Sequence, residues 1–410
     1  MAISASPAAS PASARRSSSL TDPLARRRVP LALAAVVALN LPLGTVYAFS
    51  VFIRPLEDGL GLSRAALSFV FGLAILGFTL GMNCGPLLYR LASAPWLLAG
   101  SATLAALGIV LAATAEGIVQ LALGYGALFG FGGGIAYVVL LQGMNLMLTG
   151  RRGLANGFIV SLYPLGAMIG APIFGWALSA HGLRATLGGL AVTLAAAGLA
   201  AALLAAASGM RMAAPAGAVA GPPVARQLSL FLRIWLVFFL AAAAGLTVLG
   251  QAAGMVEAYG GTKALALSAT TAITGCIAAA RVGGGWLADR VAAPLVMVGA
   301  HGLALSADAL LVLFPGPLLA VATLAMIGTG YGLVSGSVAA AIGIYWGAEH
   351  YGRLAGRLYA AWCVAAITLP VVAGRVFDLT GGYAAVIMIA AAGNLLGLLV
   401  AGSLPRRVPG

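Results

Sequence analysis

Arg281 is the residue of this sequence whose type and position most directly imply chemistry. It lies in a run over 264–287 that is otherwise apolar or small. At 1.5 Å of helical rise per residue, this run is long enough to cross a hydrocarbon core of about 30 Å. A guanidinium stays protonated at working pH, and placing it at membrane depth costs roughly 2.5 to 3.5 kcal/mol on insertion scales. We expect Arg281 to bind an anion along a water-filled path; an Arg that reaches the headgroups along its own stem is the alternative.

Other residues that could do chemistry are scarce. The three cysteines, Cys84, Cys276 and Cys363, lie in apolar runs and have no C-x-x-C spacing. With three histidines and no paired carboxylates, the sequence offers neither a metal-ligand cluster nor a nucleophile with its base. We therefore expect no enzyme activity, no cofactor and no metal.

The composition identifies the class of protein. The 410 residues are 62% hydrophobic and 8% charged, with a mean hydropathy of +1.06, whereas about 25% of the residues of a soluble domain are charged. A soluble globular fold is excluded, and the sequence predicts a polytopic protein of the lipid bilayer. The net charge of +13 does not indicate nucleic-acid binding, because the basic residues fall in short gaps between apolar runs.

Twelve apolar runs predict an all-α membrane protein with twelve transmembrane helices. They cover residues 30–53, 65–88, 96–114, 117–145, 154–179, 184–207, 231–256, 264–287, 294–314, 317–345, 352–376 and 382–403. The longest break divides them into six and six, which suggests two homologous halves. The predicted organisation is a disordered tail over 1–29, a first bundle over 30–207, a linker over 208–230, a second bundle over 231–404 and a short tail over 405–410.

The distribution of charge predicts the orientation. If both termini lie in the cytoplasm, sixteen of the 22 Lys and Arg residues fall on the cytoplasmic side, as the positive-inside rule requires. We therefore predict a multi-pass protein of a bacterial inner membrane with cytoplasmic N- and C-termini. The Arg- and Ser-rich start is also typical of a transit peptide, which is the alternative for the first tail.

A short repeat supports two related halves. Residues 285–290 read G-x-x-x-D-R after the eighth run, and residues 85–90 read G-x-x-x-Y-R after the second. In both turns a Gly allows close helix approach, and a charge can meet a helix end. The first copy has Tyr89 where the second has Asp289.

Four stretches carry a resemblance to a known family. They are 44–52 with 55–56 and 61–63, the R-R-G-L-A-N-G string at 151–157, 281–290, and 351–353 with 356–359. On these residues the chain resembles transporters of the major facilitator superfamily over 30–404. Within that superfamily it is similar to the oxalate/formate antiporter family and the related monocarboxylate transporters.

The resemblance implies a pocket. Arg281 falls where the family keeps its substrate-binding Arg. The aromatic pocket positions correspond to Tyr47, Tyr137, Tyr163, Tyr331, Tyr359 and Trp362, although aromatic residues in membrane helices more often pack or anchor at an interface. Trp362 stands where the oxalate transporter has a Lys, and Ser335 where it has a Tyr. Ile277 and Val51 stand where the monocarboxylate transporters have an Asp and a Lys. One pocket cation therefore remains.

A single guanidinium pairs best with one carboxylate, because its fork donates two parallel hydrogen bonds. We therefore predict a small organic monoanion as the substrate, with Gln142 and Gln251 as further amide contacts. We expect ion pairs around Asp289 and Arg290, and around Glu349, Arg353 and Arg357, to gate the cytoplasmic side during alternating access.

The coupling mode is predicted from the lack of a pocket carboxylate, which favours exchange (an antiporter) or uniport over proton symport. Asp308 is expected near the outer headgroups and His301 as a satisfied packing residue, with a proton role for the pair as the alternative. Two other functions stay open: an exporter of amphipathic drugs or metabolites, and a membrane sensor that does not transport. The functional unit implied by the resemblance is the monomer.

Overall fold

The structure is a computed structural model, and it describes residues 23–148, 152–212, 224–347 and 350–406. Within these ranges the chain is helical and has no strand. The helices are α1 Pro23–Gly44, α2 Ser50–Leu60, α3 Arg64–Leu88, α4 Ala94–Ala113, α5 Ile118–Leu121, α6 Gly130–Met147, α7 Arg152–Ser208, α8 Val224–Ala258, α9 Lys263–Ala288, α10 Ala293–Leu313, α11 Pro317–Trp346, α12 Tyr351–Thr380 and α13 Ala384–Gly402. Most of the predicted tail 1–29 and part of the predicted linker 208–230 lie outside the described residues.

Ten helical segments in the described ranges are long and apolar enough to cross a membrane. One of them is α7, whose 57 residues suffice for two crossings. The 30-residue α12 is not among the ten. Counting α7 twice and adding α12 gives the twelve crossings predicted from the sequence. Helices α1–α7 form the first half of the molecule and α8–α13 the second.

The break in α7 lies at Gly182. Its φ of 77° and ψ of 177° are far from helical values, and a positive φ of this kind strongly favours Gly because it has no Cβ. The helical segments on either side of Gly182 correspond to the fifth and sixth predicted runs. The sequence places these two runs at 154–179 and 184–207 and predicts a short gap between them. In the structure this gap is reduced to one non-helical residue, Gly182.

The first and fourth crossings each contain an irregular stretch. The first consists of α1, a 3-10 turn over Thr45–Ala48, and α2. The fourth begins with α5 and continues as a π-helical stretch over Ala122–Phe129 before α6. Such π-helical insertions are frequent at functional sites. Here the two irregular stretches meet, because Tyr125 of the π-helical stretch packs against Phe49 with ring centroids 4.7 Å apart.

Helix α9, which carries Arg281, is held between α7 and α11 by glycines. A Cβ on Gly157 of α7 would lie 2.4 Å from the Arg281 carbonyl oxygen, and a Cβ on Gly336 of α11 would lie 2.0 Å from the same atom. Only Gly permits backbones to approach this closely, as is common between membrane helices. The glycines therefore determine where the Arg281 backbone sits between the two halves.

The two halves meet at one end of the bundle, which we call the Asp289 end; it contains the last turn of α9 and the first turns of α7 and α12. Asn83 of α3 donates to the Gly356 carbonyl of α12 at 3.1 Å. A Cβ on Gly285 of α9 would lie 2.0 Å from the Gly153 carbonyl oxygen of α7. Away from the Asp289 end, several side chains of α9 and α12 are exposed, among them Thr271 and Thr368. The structure is therefore closed at the Asp289 end.

We expect Gly336→Ala to destabilise the protein by about 1 to 3 kcal/mol, the usual cost of overpacking. The added methyl would collide with the backbone of α9, which cannot swing aside as a side chain could. The matched control is Gly343→Ala on the same helix, where a Cβ meets nothing within 4 Å; it should leave stability unchanged or raise it slightly. Thermal unfolding in detergent measures both, and equal melting temperatures would contradict the close approach.

Candidate functional site

Arg281 lies at the centre of the molecule and is 4% exposed. Its Nη1 donates to the carbonyl oxygen of Val160 on α7 at 2.9 Å, and its Nη2 donates to the hydroxyl of Tyr331 on α11 at 2.9 Å. The guanidinium carbon also lies 5.3 Å from the centre of the Tyr331 ring. The Val160 bond joins the second half to the first. Arg281 is therefore held inside the bundle rather than reaching the headgroups.

The Val160 carbonyl is free to accept this bond because of Pro164. In a regular helix the carbonyl of residue 160 would accept from the N–H of residue 164, but proline has no N–H. Pro164 lies inside α7, so its position leaves one backbone acceptor unpaired four residues earlier. A buried carbonyl left without a donor costs about 1 to 3 kcal/mol. Arg281 supplies the missing donor, and the cation gains a partial negative charge in return.

Aromatic side chains from both halves surround this region. The rings of Tyr137 and Tyr163 have centroids 5.1 Å apart, and those of Tyr47 and Trp362 are 6.2 Å apart. The hydroxyls of Tyr137 and Tyr359 lie 3.2 Å apart and form a second bond between the halves. Electrostatic partners of the guanidinium are the side chains of Tyr47, Tyr137, Tyr331 and Tyr359. The structure thus gathers the six aromatic residues predicted from the sequence around Arg281.

We call this group the aromatic cluster: Tyr47, Phe78, Tyr137, Tyr163, Tyr331, Tyr359 and Trp362. A cavity of about 20 Å³ lies within it, with Tyr47, Phe78, Tyr163 and Trp362 in its wall. This volume accommodates about one water molecule. Binding of anything larger at this cavity therefore requires the rings to move apart.

Several polar atoms of Arg281 and the aromatic cluster are buried and have no hydrogen-bond partner among the described residues. They are Nε of Arg281, Nε1 of Trp362 and the hydroxyl oxygen of Tyr163. The two nitrogens can only donate, and the hydroxyl can donate as well. Buried polar groups are nearly always paired, so unpaired donors that share one region point to an acceptor that binds there. The chemistry that they favour is the binding of an anion.

The other residues predicted to bind substrate are placed differently. Ser335 is buried on α11 and interacts with the Tyr359 side chain. Gln142 accepts from the backbone N–H of Gly352 at 2.7 Å, and Gln251 accepts from the Tyr383 hydroxyl at 3.0 Å. The described hydrogen bonds of Arg281 go to neither glutamine. Ser335 thus joins the aromatic cluster, whereas the two glutamines bond to other helices.

Asp289 forms the contact that closes its end of the molecule. Its two carboxylate oxygens accept from the backbone N–H groups of Gly153 at 2.7 Å and Leu154 at 2.8 Å. These groups lie in the first turn of α7, where helical N–H groups have no partner in their own helix. The helix dipole also favours a negative charge there. Asp289 of the second half therefore caps a helix of the first.

Within the described residues, Asp289 holds this end through backbone N–H groups and not through the expected ion pair with Arg290, whereas the pairs expected around Glu349 stay a prediction. The Arg290 guanidinium lies 3.9 Å from the centre of the Trp286 ring and donates to the Trp286 carbonyl, and among the described residues no ion pair joins it to Asp289. Arg353 and Arg357 are exposed, and Glu349 lies outside the described residues. The correction has a physical reason: the unpaired N–H groups of a helix start compete well for a carboxylate, whereas exposed cations gain little from pairing.

The first half has an equivalent contact made with a different residue. Where the repeat has Tyr89 instead of an acid, the N–H of Gly352 at the start of α12 donates to Oε1 of Gln142 on α6. A Cβ on Gly352 would lie 3.0 Å from the Tyr89 hydroxyl. The two starts, of α7 and of α12, are thus both capped from the opposite half, one by a carboxylate and one by an amide.

Asp308 and His301 lie in a separate buried group. Asp308 is 0% exposed and accepts from Nδ2 of Asn394 at 2.8 Å. It lies five residues before the end of α10, and its expected position near the outer headgroups stays a prediction. The partner that permits its burial lies on α13, 86 residues away in sequence. His301 is bonded at both ring nitrogens, which agrees with a satisfied residue.

Sequence reasoning missed three contributors to the site. Phe78 packs against Tyr137, Tyr163 and Trp362, with ring centroids 5.3 to 5.9 Å away. Phe238 packs against Tyr359 at 5.4 Å. Neither has a sequence signal, since a Phe in an apolar run fits any lipid-facing position. Pro164 did carry a signal, because a proline inside a helix always frees a carbonyl four residues before it.

Comparison with known proteins gives a family and a remote relative. The profile of the family described as Major Facilitator Superfamily matches residues 33–370. The uncharacterized MFS-type transporter YhjX of Escherichia coli (strain K12) is 28% identical over 138 residues. That match spans 34% of this chain and 34% of YhjX, so it covers about a third of the length of this relative.

Solved structures share the fold at low sequence identity. FucP, a transporter of the same superfamily in the outward conformation, has a TM-score of 0.71 at 15% identity and covers 91% of this chain and 99% of its own. The proton:xylose symporter XylE has a TM-score of 0.72 at 16% identity, covering 92% and 96%. The human organic anion transporter MFSD10 has 0.69 at 15%, covering 93% and 100%. At these identities the likeness establishes the fold alone.

We expect Asp289→Asn to loosen the start of α7. The amide keeps one acceptor oxygen, so one of the two hydrogen bonds is lost, and without the charge the interaction with the helix dipole is weaker. Together these changes should cost about 1 kcal/mol of stabilisation at the start of α7. Hydrogen exchange followed by mass spectrometry should show faster exchange at Gly153 and Leu154, while peptides at the start of α12 stay protected. Arg290→Ala is the control, and an equal effect from it would indicate that an ion pair matters after all.

Proposed function

This chain belongs to the major facilitator superfamily of membrane transporters, and from that premise we propose that it moves a small organic monoanion, monocarboxylate-like, by alternating access. The family match confirms an all-α membrane fold of twelve helices in two six-helix halves, and a transporter rather than an enzyme. The proposal concerns the substrate and the mode, for which the resemblance to the oxalate/formate antiporter family and the monocarboxylate transporters gives the initial support.

The observation that carries the proposal is the surplus of buried donors around one permanent cation. Within the described part of the chain, Nε of Arg281 has no hydrogen-bond partner, and Trp362 and Tyr163 each hold a further unpaired donor. The guanidinium contacts a carbonyl and a hydroxyl, and among the described residues no carboxylate bonds to it. A buried cation without a counter-ion favours an anion from outside, since its charge is weakly screened there. An anion bound here would satisfy charge and hydrogen bonding together.

The same residues favour one negative charge over two. A carboxylate can receive two hydrogen bonds from the Arg281 fork, and the tyrosine hydroxyls and the Trp362 N–H can donate to its remaining lone pairs. A second carboxylate, as in oxalate, would lie among rings with no second cation. Leaving a buried charge unpaired costs several kcal/mol. We therefore assign the substrate to the class of small monocarboxylates.

The bonds between the halves suggest how binding is linked to movement. Opening the Asp289 end separates α7 from α9, which breaks the bond between Arg281 and Val160 and exposes the start of α7. A carboxylate bound to Arg281 would replace the Val160 oxygen as acceptor. Separation of the halves therefore costs the loaded protein less hydrogen-bond energy than it costs the empty protein. This difference favours exchange, in which a substrate is bound on each return; uniport requires the empty protein to make the same transition alone.

The site residues then divide by role. We propose Arg281 as the anchor, with Tyr47, Tyr137, Tyr163, Tyr331, Tyr359, Trp362 and Ser335 as the substrate-facing wall. Gln142 and Asp289 hold the closed end, whereas Gln251 bonds to Tyr383 away from the anchor. Arg290, Arg353 and Arg357 lie on the surface of that end, where the positive-inside rule supports a cytoplasmic location. A monomer in a bacterial inner membrane, with both termini in the cytoplasm, completes the proposal.

The substrate class is tested by thermal stabilisation of the purified protein with formate, acetate, lactate, oxalate and malonate. A ligand that binds the folded state at 100 times its Kd stabilises it by about 2.7 kcal/mol. We expect a higher melting temperature with one or more of the monocarboxylates and a smaller shift with the dicarboxylates. Arg281→Ala should abolish the shift. Arg281→Lys should reduce it strongly, because a point charge cannot replace the fork.

The control for this panel is Arg290→Lys, which keeps the charge of an exposed cation. A shift that persists in Arg281→Ala would rule out the anchor role. No shift with any carboxylate would favour the exporter of amphipathic compounds, and the panel would continue with amphipathic cations. Stabilisation without uptake into proteoliposomes would favour the sensor.

Pro164→Ala tests the unpaired carbonyl. The new N–H would bond to the Val160 oxygen, so that Arg281 would share its acceptor and be held less firmly. We expect monocarboxylate binding tighter by roughly fivefold, equivalent to about 1 kcal/mol, the net value of one hydrogen bond, because the carboxylate then displaces a weaker acceptor. Pro172→Ala on the same helix is the matched control, since it lies two turns further along, and it should leave affinity unchanged. Equal affinities for the two variants would contradict this account of Arg281.

A further inference from the structure

Three buried polar side chains of the second half form a continuous chain that the transport cycle above does not use. His301 and Asp308 lie on α10, Asn394 lies on α13, and all three are at most 1% exposed. Nε2 of His301 lies 3.2 Å from the Val237 carbonyl oxygen of α8, and Nδ1 lies 3.1 Å from Oδ1 of Asn394. Nδ2 of Asn394 donates to Oδ2 of Asp308 at 2.8 Å. We call these three residues the triad.

The orientation of the Asn394 amide determines which atoms must carry protons. With its oxygen toward His301, both ring nitrogens of His301 face acceptors, because the Val237 carbonyl can only accept. Both nitrogens must then be protonated, and Asp308 is an ionised carboxylate that accepts from the amide. In this arrangement the proton that the triad shares resides on His301, and the triad has no net charge.

The reversed amide, which places its oxygen toward Asp308, gives a second complete arrangement. Amide orientation is assigned from hydrogen bonding, so both must be considered. Here a protonated Asp308 donates to the Asn394 oxygen, the amide nitrogen donates to a neutral Nδ1 of His301, and Nε2 still donates to Val237. The number of protons and the net charge are the same as before; the shared proton now resides on Asp308.

Removal of this shared proton leaves no complete arrangement. With Asp308 ionised and His301 neutral, one contact becomes an acceptor facing an acceptor. It is a contact of the Asn394 oxygen or, when the ring proton is on Nδ1, the contact of Nε2 with the Val237 carbonyl. The triad would also carry a buried negative charge. Addition of a further proton gives a buried positive charge, and the acid hydrogen then either faces a donor or lies on Oδ1 without an acceptor. Buried polar groups that lose their partners are strongly disfavoured, so the packing seen here fits one shared proton.

Asp308 gives a reason to expect the second arrangement. Its Oδ1 is buried and has no hydrogen-bond partner in the described part of the chain. An ionised carboxylate that is buried with a single hydrogen bond is poorly solvated, whereas a neutral carboxylic acid tolerates an unpaired oxygen better. The charged residues on the described parts of α8 include Arg233, which lies one turn before Val237 and donates to the Ser403 carbonyl, and Glu257, which lies near the end of the helix. Helix α11 contributes Tyr331 and Tyr345.

The triad also borders the substrate region. His301 and Asn394 line one small gap together with Tyr331, and Tyr331 accepts the hydrogen bond from Arg281. The His301 ring itself fills the space beside Gly397 of α13, where a Cβ would lie 2.3 Å from its Cε1. Movement of α13 or α10 would therefore disturb the triad and the partner of Arg281 at the same time.

We propose that the triad of His301, Asn394 and Asp308 is a proton-binding site that holds one proton while α8, α10 and α13 are packed as in this structure. The proton binds either to Nδ1 of His301 or to Oδ2 of Asp308, and it leaves when the three helices separate enough for water to take the place of the lost partners. The site does not depend on the identity of the substrate.

The proposal is tested by two spectroscopic measurements on the purified wild-type protein at neutral pH. Nitrogen-15 magnetic resonance of labelled histidine distinguishes an imidazolium from a neutral ring protonated at Nε2, and His301→Gln identifies the His301 signal. Infrared spectroscopy detects the C=O stretch of a protonated carboxylic acid in the membrane interior. Asp308→Asn should remove that band, and Glu116→Gln, an exposed carboxylate in a loop, should leave it in place.

We expect the infrared band of a protonated Asp308 together with a neutral His301. An imidazolium at His301 with an ionised Asp308 supports the proposal equally, because the triad again holds one shared proton. A neutral His301 with an ionised Asp308 would overturn it, and so would protonation of both. In Asp308→Asn, which donates an amide hydrogen in place of the acid proton, His301 should be neutral; an imidazolium there would also contradict the proposal.

Discussion

A permanent cation in the interior of a membrane protein must be solvated by the protein itself, and the arrangement around Arg281 follows from this requirement. Arg281 is 4% exposed, so protein acceptors have to come to the guanidinium. One is the Val160 carbonyl, which Pro164 deprives of its helical donor, and another is the Tyr331 hydroxyl. Because these acceptors lie on α7 and α11, Arg281 connects the two halves of the molecule in the closed arrangement.

The glycine contacts and the guanidinium contacts of Arg281 join α9 to the same two helices, α7 and α11. Gly157 and Gly336 bring α7 and α11 against the Arg281 carbonyl, and the Arg281 side chain reaches groups on the same two helices. Larger residues at these positions would separate the helices and move both acceptors away from the cation. The abundance of Gly in this chain, 57 residues, is therefore tied to the position of the charge as well as to helix packing.

The sequence was most informative where a residue type is costly in its place. The apolar runs predicted the crossings, the charge inside one of them singled out Arg281, and the family resemblance implied the aromatic residues around it. It was least informative about partners that depend on how each helix is rotated. Gln142 and Gln251, predicted as substrate contacts, bond to Gly352 and Tyr383, and the buried Asp308 bonds to Asn394, a partner far along the chain. For Asp289 the sequence predicted an ion pair with a side chain, whereas its partners in the structure are backbone N–H groups. Such partners cannot be recognised in a sequence, because every residue except proline has a backbone N–H.

The capping of α7 by Asp289 has a consequence for how this end can vary between related proteins. Its partners are backbone atoms, which every non-proline residue supplies. A substitution at Leu154 therefore leaves the acceptor and donors intact, and no second mutation is needed to restore the match. Gly153 is different, because a Cβ there would lie 2.3 Å from the Gly285 carbonyl oxygen. At the Asp289 end, the side chain at position 154 can therefore change, whereas position 153 has no room for a side chain.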